Sequence, residues 1–114
     1  GNMVAVAEEG GSVLGYVSVI ERAPGRAVKV GDYEVSGGFF LDNLFVRPGF
    51  MRRGVGRALA GAALAYCGER GIRTLHVYSD PNAKGFYESM GAVCLGEVPS
   101  GNFGRALPFL AFCL

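Results

Sequence analysis

The sequence predicts a single α+β domain over residues 1–114, with elements in the order ββ(loop)βαβαββ and a mixed, mostly antiparallel sheet. Three observations predict it. β-rich runs near the start are split by a glycine pair, the hydrophobic pattern changes from strand to helix period after Pro48, and strand, helix and strand then follow at the length of a right-handed crossover. The 114 residues are 50% hydrophobic and 18% charged, enough for one core and without disordered or coiled-coil bias.

Residues 4–8 and 12–20 read as the arms of an antiparallel hairpin around Gly10-Gly11. From 21 to 38 the chain is polar and glycine-rich. Residues 27–30 and 33–35 either pair as a small extra hairpin across Gly31-Asp32 or belong to one long surface loop. Residues 39–46 (FFLDNLFV) are apolar except for Asp42 and Asn43, as expected of a central strand covered on both faces. Val55, Leu59, Ala62, Ala63 and Tyr66 recur at helical spacing before Gly71, which predicts a helix over about 54–70. The next strand covers 74–79. Asp80 is expected to cap a second helix with Pro81 at its first position, Phe86 and Tyr87 on one face and Gly91 at its end. Residues 92–98 and 106–114 close the sheet.

Eleven basic residues against ten acidic ones leave a net charge of +1, which gives no general field for bulk nucleic acid. An anion must be bound locally, and four of the arginines (Arg47, Arg52, Arg53, Arg57) fall within residues 47–57. Cys67, Cys94 and Cys113 lie far apart and His76 is the one histidine, so no zinc spacing or even disulfide framework exists and no metal is expected. No run approaches the ~18 apolar residues of a membrane span, and the first residues lack a signal-type pattern. A cytoplasmic protein without membrane contact is the expectation.

Residues 46–57 (VRPGFMRRGVGR) join a buried strand to a helix N-terminus, where four backbone N–H groups lack partners and the helix dipole is positive. Gly54 and Gly56 leave those donors open to a phosphate, with arginines at the rim. The alternative is a tight strand-to-helix turn with arginines for solubility. A P-loop would need Lys-Ser/Thr where the chain has Arg57-Ala58, and the dinucleotide fingerprint would need a third glycine where it has Leu59.

Here the sequence resembles the GNAT superfamily of N-acetyltransferases. Leu44-Phe45-Val46-Arg47-Pro48, followed by Arg52-Arg53-Gly54-Val55-Gly56-Arg57, is similar to the family's acetyl-CoA motif, Q/R-x-x-G-x-G/A after a V-x-P strand end. The run from Ala83 through Phe86-Tyr87 to Gly91 is similar to its N-x-x-A-x-x-F-Y-x-x-x-G-F segment. The resemblance implies acetyl-CoA as co-substrate, held by Leu44, Phe45, Val46, Arg52, Arg53, Gly54, Val55, Gly56, Arg57, Asn82 and Phe86. It implies acetyl transfer to a primary amine of a small molecule or peptide by direct attack in a ternary complex. Three positions depart from the pattern. Met51 stands where the family has Gln or Arg, Asp80 stands where it has Asn, and the chain starts at what resembles the family's second strand.

By the same resemblance Tyr87 is the acid that protonates the coenzyme thiolate, unless it is core packing beside Phe86 and Met90. Asp42 is the first candidate base, since a carboxylate in an apolar strand is expected to be buried and perturbed; the other reading is a carboxylate satisfied by a neighbouring donor. His76 is a second candidate base or a packed, hydrogen-bonded residue. Asn82 either holds the coenzyme's arm or sits in the first helical turn. The cradle without an acceptor wall would also suit a non-catalytic acyl-CoA-binding or regulatory module. The apolar strand 106–114, placed at an edge, would pair with a second copy to form a homodimer through the C-terminal strands.

Overall fold

The computed structural model describes residues 2–25, 27–51, 53–99 and 106–114. Strands β1 (Met3–Glu9) and β2 (Ser12–Arg22) form the expected hairpin, and β3 (Val28–Val30) and β4 (Tyr33–Val35) form the small second one. They are followed by β5 (Gly38–Val46), helix α1 (Val55–Glu69), β6 (Thr74–Tyr78), helix α2 (Lys84–Ser89), β7 (Val93–Pro99) and β8 (Ala106–Cys113). The main sheet runs β1-β2-β5-β6-β8-β7, and only β5 and β6 are parallel.

Each face of the sheet has its own core. Val17, Val19, Leu41, Leu75, Val77, Leu110 and Phe112 pack with Leu59, Ala63 and Cys67 of α1 and Tyr87 of α2. On the other face Phe40, Val98 and Phe109 are covered by Val30 and Val35 of the β3–β4 hairpin. That hairpin comes close to β7 because Gly96 has no side chain: a Cβ there would collide with Val30 Cγ1. The alternation of apolar residues in β3 and β4 therefore serves a second, smaller core.

Three expectations are corrected. Strand β5 is central, with Phe40 and Leu41 buried, but it is not covered throughout: Asp42, Asn43 and Phe45 are exposed. Ser18 pairs with Asn43 and Val19 with Leu41, so Asp42 is an extra residue in a bulge. Pairing of β5 with β6 covers Phe39 to Leu41 only, which leaves the C-terminal half of β5 without a neighbour on that side. The second helix begins at Lys84, not after Asp80. Asp80 Oδ1 accepts the Asn82 N–H at 2.8 Å and the Asp80 carbonyl accepts the Ala83 N–H at 2.9 Å, so the capping residue builds a turn before the helix. Finally, β8 is no edge strand. It is hydrogen-bonded to β6 on one side and β7 on the other, and its residues from Pro108 to Phe112 are buried; the edges are β1 and β7.

Candidate functional site

The parting of β5 from β6 opens a cleft of about 950 Å3 between the end of β5, the start of α1 and the segment leading into α2. Leu44, Val46, Gly54, Gly56, Arg57, Asn82 and Phe86 line it together with Met51, Asp80 and Ala83. Seven residues expected at the coenzyme site thus come together, although 82 and 86 lie more than twenty positions beyond 57 in the chain.

At the head of the cleft, α1 starts without a side-chain cap and without an acidic residue in its first turn. Its first internal bond is from the Ala58 N–H to the Gly54 carbonyl at 3.0 Å, so the preceding amides have no carbonyl one turn back. This is the positive end of a 15-residue helix dipole. Gly54 has φ +79°, a left-handed conformation that favours glycine, whereas a Cβ on Gly56 would point at Val46 Cγ2 (3.5 Å) and Phe86 (3.7 Å) across the cleft. The first glycine sets the turn and the second keeps the cleft open. The Arg57 guanidinium spans to α2, donating to Ser89 Oγ and Met90 Sδ at 3.3 Å each, and Ser89 in turn donates to the Phe86 carbonyl at 2.6 Å. Its side chain is positioned by neutral groups, and among the described residues no carboxylate competes for its charge.

Other expected site residues lie elsewhere. Phe45 alternates to the opposite face, where its ring packs on Tyr16 at 5.7 Å. Arg53 turns toward the β1–β2 hairpin, pairing with Glu9 at 3.2 Å and covering the Phe50 ring at 5.0 Å. Val55 packs into the core, and Arg52 lies outside the described residues. Asn82 is in the turn and not the first helical turn, which leaves its side chain at the cleft wall. Met51 stood in the sequence as a departure from a motif, and Asp80 as a departure and a helix cap, yet both line the cleft.

Tyr87 is 6% exposed and packs edge-on against Phe86 and Phe112 at 5.4 and 6.3 Å. Burial pushes its phenol above the ordinary value of 10, so it holds its proton at neutral pH. Asp42 is exposed at the bulge and accepts a hydrogen bond from Asn43 Nδ2 at 3.0 Å, which removes burial as the reason to single it out. His76 is the packed residue of its two readings. It is 6% exposed between Phe40 and Phe109, its Nε2 lies 3.2 Å from the Tyr33 hydroxyl, and burial lowers its pKa. Among the described residues no group of three or more His, Cys, Asp or Glu is placed to hold a metal, and no helix is long and apolar enough to cross a membrane.

A strand end, a glycine turn and an uncapped helix N-terminus thus meet around an open cleft in an α+β domain, and such a helix start presents unpaired N–H donors to the cleft. Residues 1–92 match the acetyltransferase (GNAT) family, and the chain belongs to that family. Its fold is similar to that of the GCN5-related N-acetyltransferase from Rhodopseudomonas palustris, with TM-score 0.75 and 24% identity over 99% of this chain and 62% of that one. It is also similar to an aminoglycoside 6′-N-acetyltransferase complexed with coenzyme A (TM-score 0.74, 15% identity, 98% of this chain and 72% of that one). A third similar structure is the ribosomal-protein-S18-alanine N-acetyltransferase from Escherichia coli (0.68, 22%, 98% and 68%). The chain therefore spans 62–72% of these relatives' length. None of the curated proteins matches it in sequence.

Proposed function

We propose that this domain is an acetyl-CoA-dependent N-acetyltransferase that acetylates a primary amine of a small molecule or peptide by direct attack in a ternary complex. The observation that carries the proposal is the uncapped, glycine-opened start of α1 facing the gap between β5 and β6. Backbone N–H groups of residues 55–57 and the Arg57 guanidinium hold the pyrophosphate, while Asn82 and Phe86 line the path of the pantetheine arm. Beyond Leu41 the backbone of β5 has no partner on the side of β6, and its N–H groups on that side polarise the thioester carbonyl and stabilise the oxyanion. The amine forms its bond to the carbonyl carbon as the carbon–sulfur bond breaks. Asp42, accessible at the bulge, takes the proton released by the amine, and Tyr87 gives one to the departing thiolate.

Calorimetric titration with acetyl-CoA, coenzyme A and NADH tests the cradle. Micromolar acetyl-CoA binding without NADH binding is expected, followed by turnover with a panel of amines. Absence of coenzyme binding would sink the proposal. A second reading, a non-catalytic acyl-CoA-binding module, is favoured by the packing of Tyr87, which is 6% exposed and held between Phe86 and Phe112. Its sign is tight coenzyme binding without turnover, unchanged in Tyr87→Phe.

A further inference from the structure

The β3–β4 hairpin pairs with no other strand: it is a two-stranded sheet of its own, laid on the face of the main sheet opposite α1. A hairpin of that size is marginal by itself, so its order depends on what lies beneath it. Val30 and Val35 pack on Phe40, Val98 and Phe109, and Gly96 lets Val30 approach β7. Among the described residues one hydrogen bond joins residues 28–35 to the main sheet, between the Tyr33 hydroxyl and His76 Nε2 at 3.2 Å. Ser36 closes the neck of the hairpin, its Oγ donating to the Gly25 carbonyl at 3.1 Å and accepting the Gly25 N–H at 3.2 Å. Gly37 and Gly38, with φ +73° and +103°, then lead into β5. The hairpin is a separate unit joined to the sheet through glycines.

Its one polar tie ends on a buried titratable ring. His76 stacks on Phe109 at 5.3 Å and lies against Phe40 at 5.5 Å and Tyr33 at 6.1 Å. In either neutral tautomer Nε2 is satisfied by Tyr33 and Nδ1 has no partner. A proton adds a charge and a second donor where there is no acceptor for Nδ1, and burial lowers the His76 pKa accordingly. The surrounding charges give no relief. From β4 the Tyr33 phenol faces the ring, β5 and β8 bring Phe40 and Phe109, and Tyr78 on its own strand is a neutral phenol. Lys29, Asp32, Glu34 and Glu97, on β3, β4, their turn and β7, are exposed, and among the described residues no carboxylate pairs with His76. The cations on the elements around it are Arg22, over the Phe40 ring at 4.7 Å, and Arg70 and Arg73 before β6, all of which oppose a further positive charge.

Phe40 and Phe109 belong to central strands, whereas Tyr33 belongs to the hairpin, so the hairpin is the cover that can leave. We propose that the β3–β4 hairpin is a proton-released flap, docked while His76 is neutral and lifted from the sheet when His76 takes up a proton. Lifting Tyr33 away opens the ring to water. The undocked ring regains the ordinary value of 6.5, so below pH 6.5 the undocked form takes up the proton first and the ratio of docked to undocked falls by up to tenfold per pH unit. The inference does not rest on acetyl transfer, because none of these hairpin residues, nor His76, lines the coenzyme cleft.

The test is amide hydrogen exchange by NMR on the full chain from pH 8 to pH 5, with each rate taken relative to the intrinsic rate at that pH. His76 is the one histidine in the sequence, so its ring nitrogens report protonation without ambiguity. Protection of the β3 and β4 amides is expected to be flat above pH 6.5 and to fall below it, by up to tenfold per unit, in step with the His76 signal. Leu75, Val77 and Leu110 in β6 and β8 are expected to keep their protection over the same range. His76→Phe and His76→Gln, either of which removes the titrating ring, are expected to abolish the slope. Tyr33→Phe loses the tie but keeps the cover, and is expected to lower hairpin protection by about threefold or more at every pH and leave the slope in place. Hairpin protection that stays constant down to pH 5, a fall shared equally by β6 and β8, or a slope that persists in whichever His76 variant folds would overturn the proposal.

Discussion

Gly54 and Gly56 resist substitution for different physical reasons, and stability and binding measurements separate them. A side chain at Gly54 meets nothing within 4 Å but must adopt φ +79°, so Gly54→Ala is expected to cost about 1–2 kcal/mol in urea unfolding. Gly56→Val adds bulk between Val46 and Phe86, so it is expected to keep the fold and lose coenzyme affinity in calorimetry. Equal affinity in the Gly56 variant would remove the cradle from the proposed function. Tyr87→Phe keeps the ring contacts with Phe86 and Phe112 and loses only the hydroxyl; a lower kcat with unchanged coenzyme binding is expected. For His76 the pH dependence has a definite sign. Burial lowers its folded pKa below the ordinary 6.5, so the unfolded chain takes up a proton first as pH falls. Its contribution to stability is complete above pH 6.5 and is lost as pH falls toward the folded value. Urea midpoints should therefore fall below pH 6.5 and lose that dependence in His76→Gln. Residue identity made the two glycines legible, since few other reasons place glycine beside a helix start. It did not reveal the place of Asp42, because a bulge depends on how two strands pair and leaves no mark on either one alone.

At the scale of elements, α1 was readable almost to its ends, from about 54–70 to Val55–Glu69, because its small and apolar residues repeat over four turns. Helix α2 was not, since Asp80 and Pro81 open a turn as readily as a helix and the turn was chosen. The hairpin of β3 and β4 was left open between two readings. What decides it is distant in sequence: Phe40, Val98 and Phe109 provide the surface on which Val30 and Val35 pack. Phe109→Ala should then loosen both the main sheet and the hairpin, at about 3–5 kcal/mol in equilibrium unfolding. Glu9→Gln, which breaks the exposed pair with Arg53, should change stability by no more than about 1 kcal/mol, because solvent screens two half-exposed charges. An effect as large as that of Phe109→Ala would mean that the pair holds the β1–β2 hairpin to the cradle.

For the whole molecule, a net charge of +1 means that the proposed function requires coenzyme attraction to be a local effect of α1 and Arg57. Coenzyme affinity is accordingly expected to weaken as salt rises from 50 to 500 mM at about the same rate in Arg73→Gln, whose changed charge lies at the far end of the sheet, and less steeply in Arg57→Gln. The order of elements could be read along the chain; the order of strands across the sheet could not, because it is set by contacts between segments far apart in sequence. Strand β8 shows the difference. Although it follows both in the chain, it sits between β6 and β7, which are not paired to each other. During synthesis, the edges of β6 and β7 that face β8 must therefore wait, unpaired, until residues 106–113 leave the ribosome. Such a chain completes its sheet only once residues 106–113 are free to pair, and a nascent chain stalled before that point is the form in which chaperone binding should be strongest.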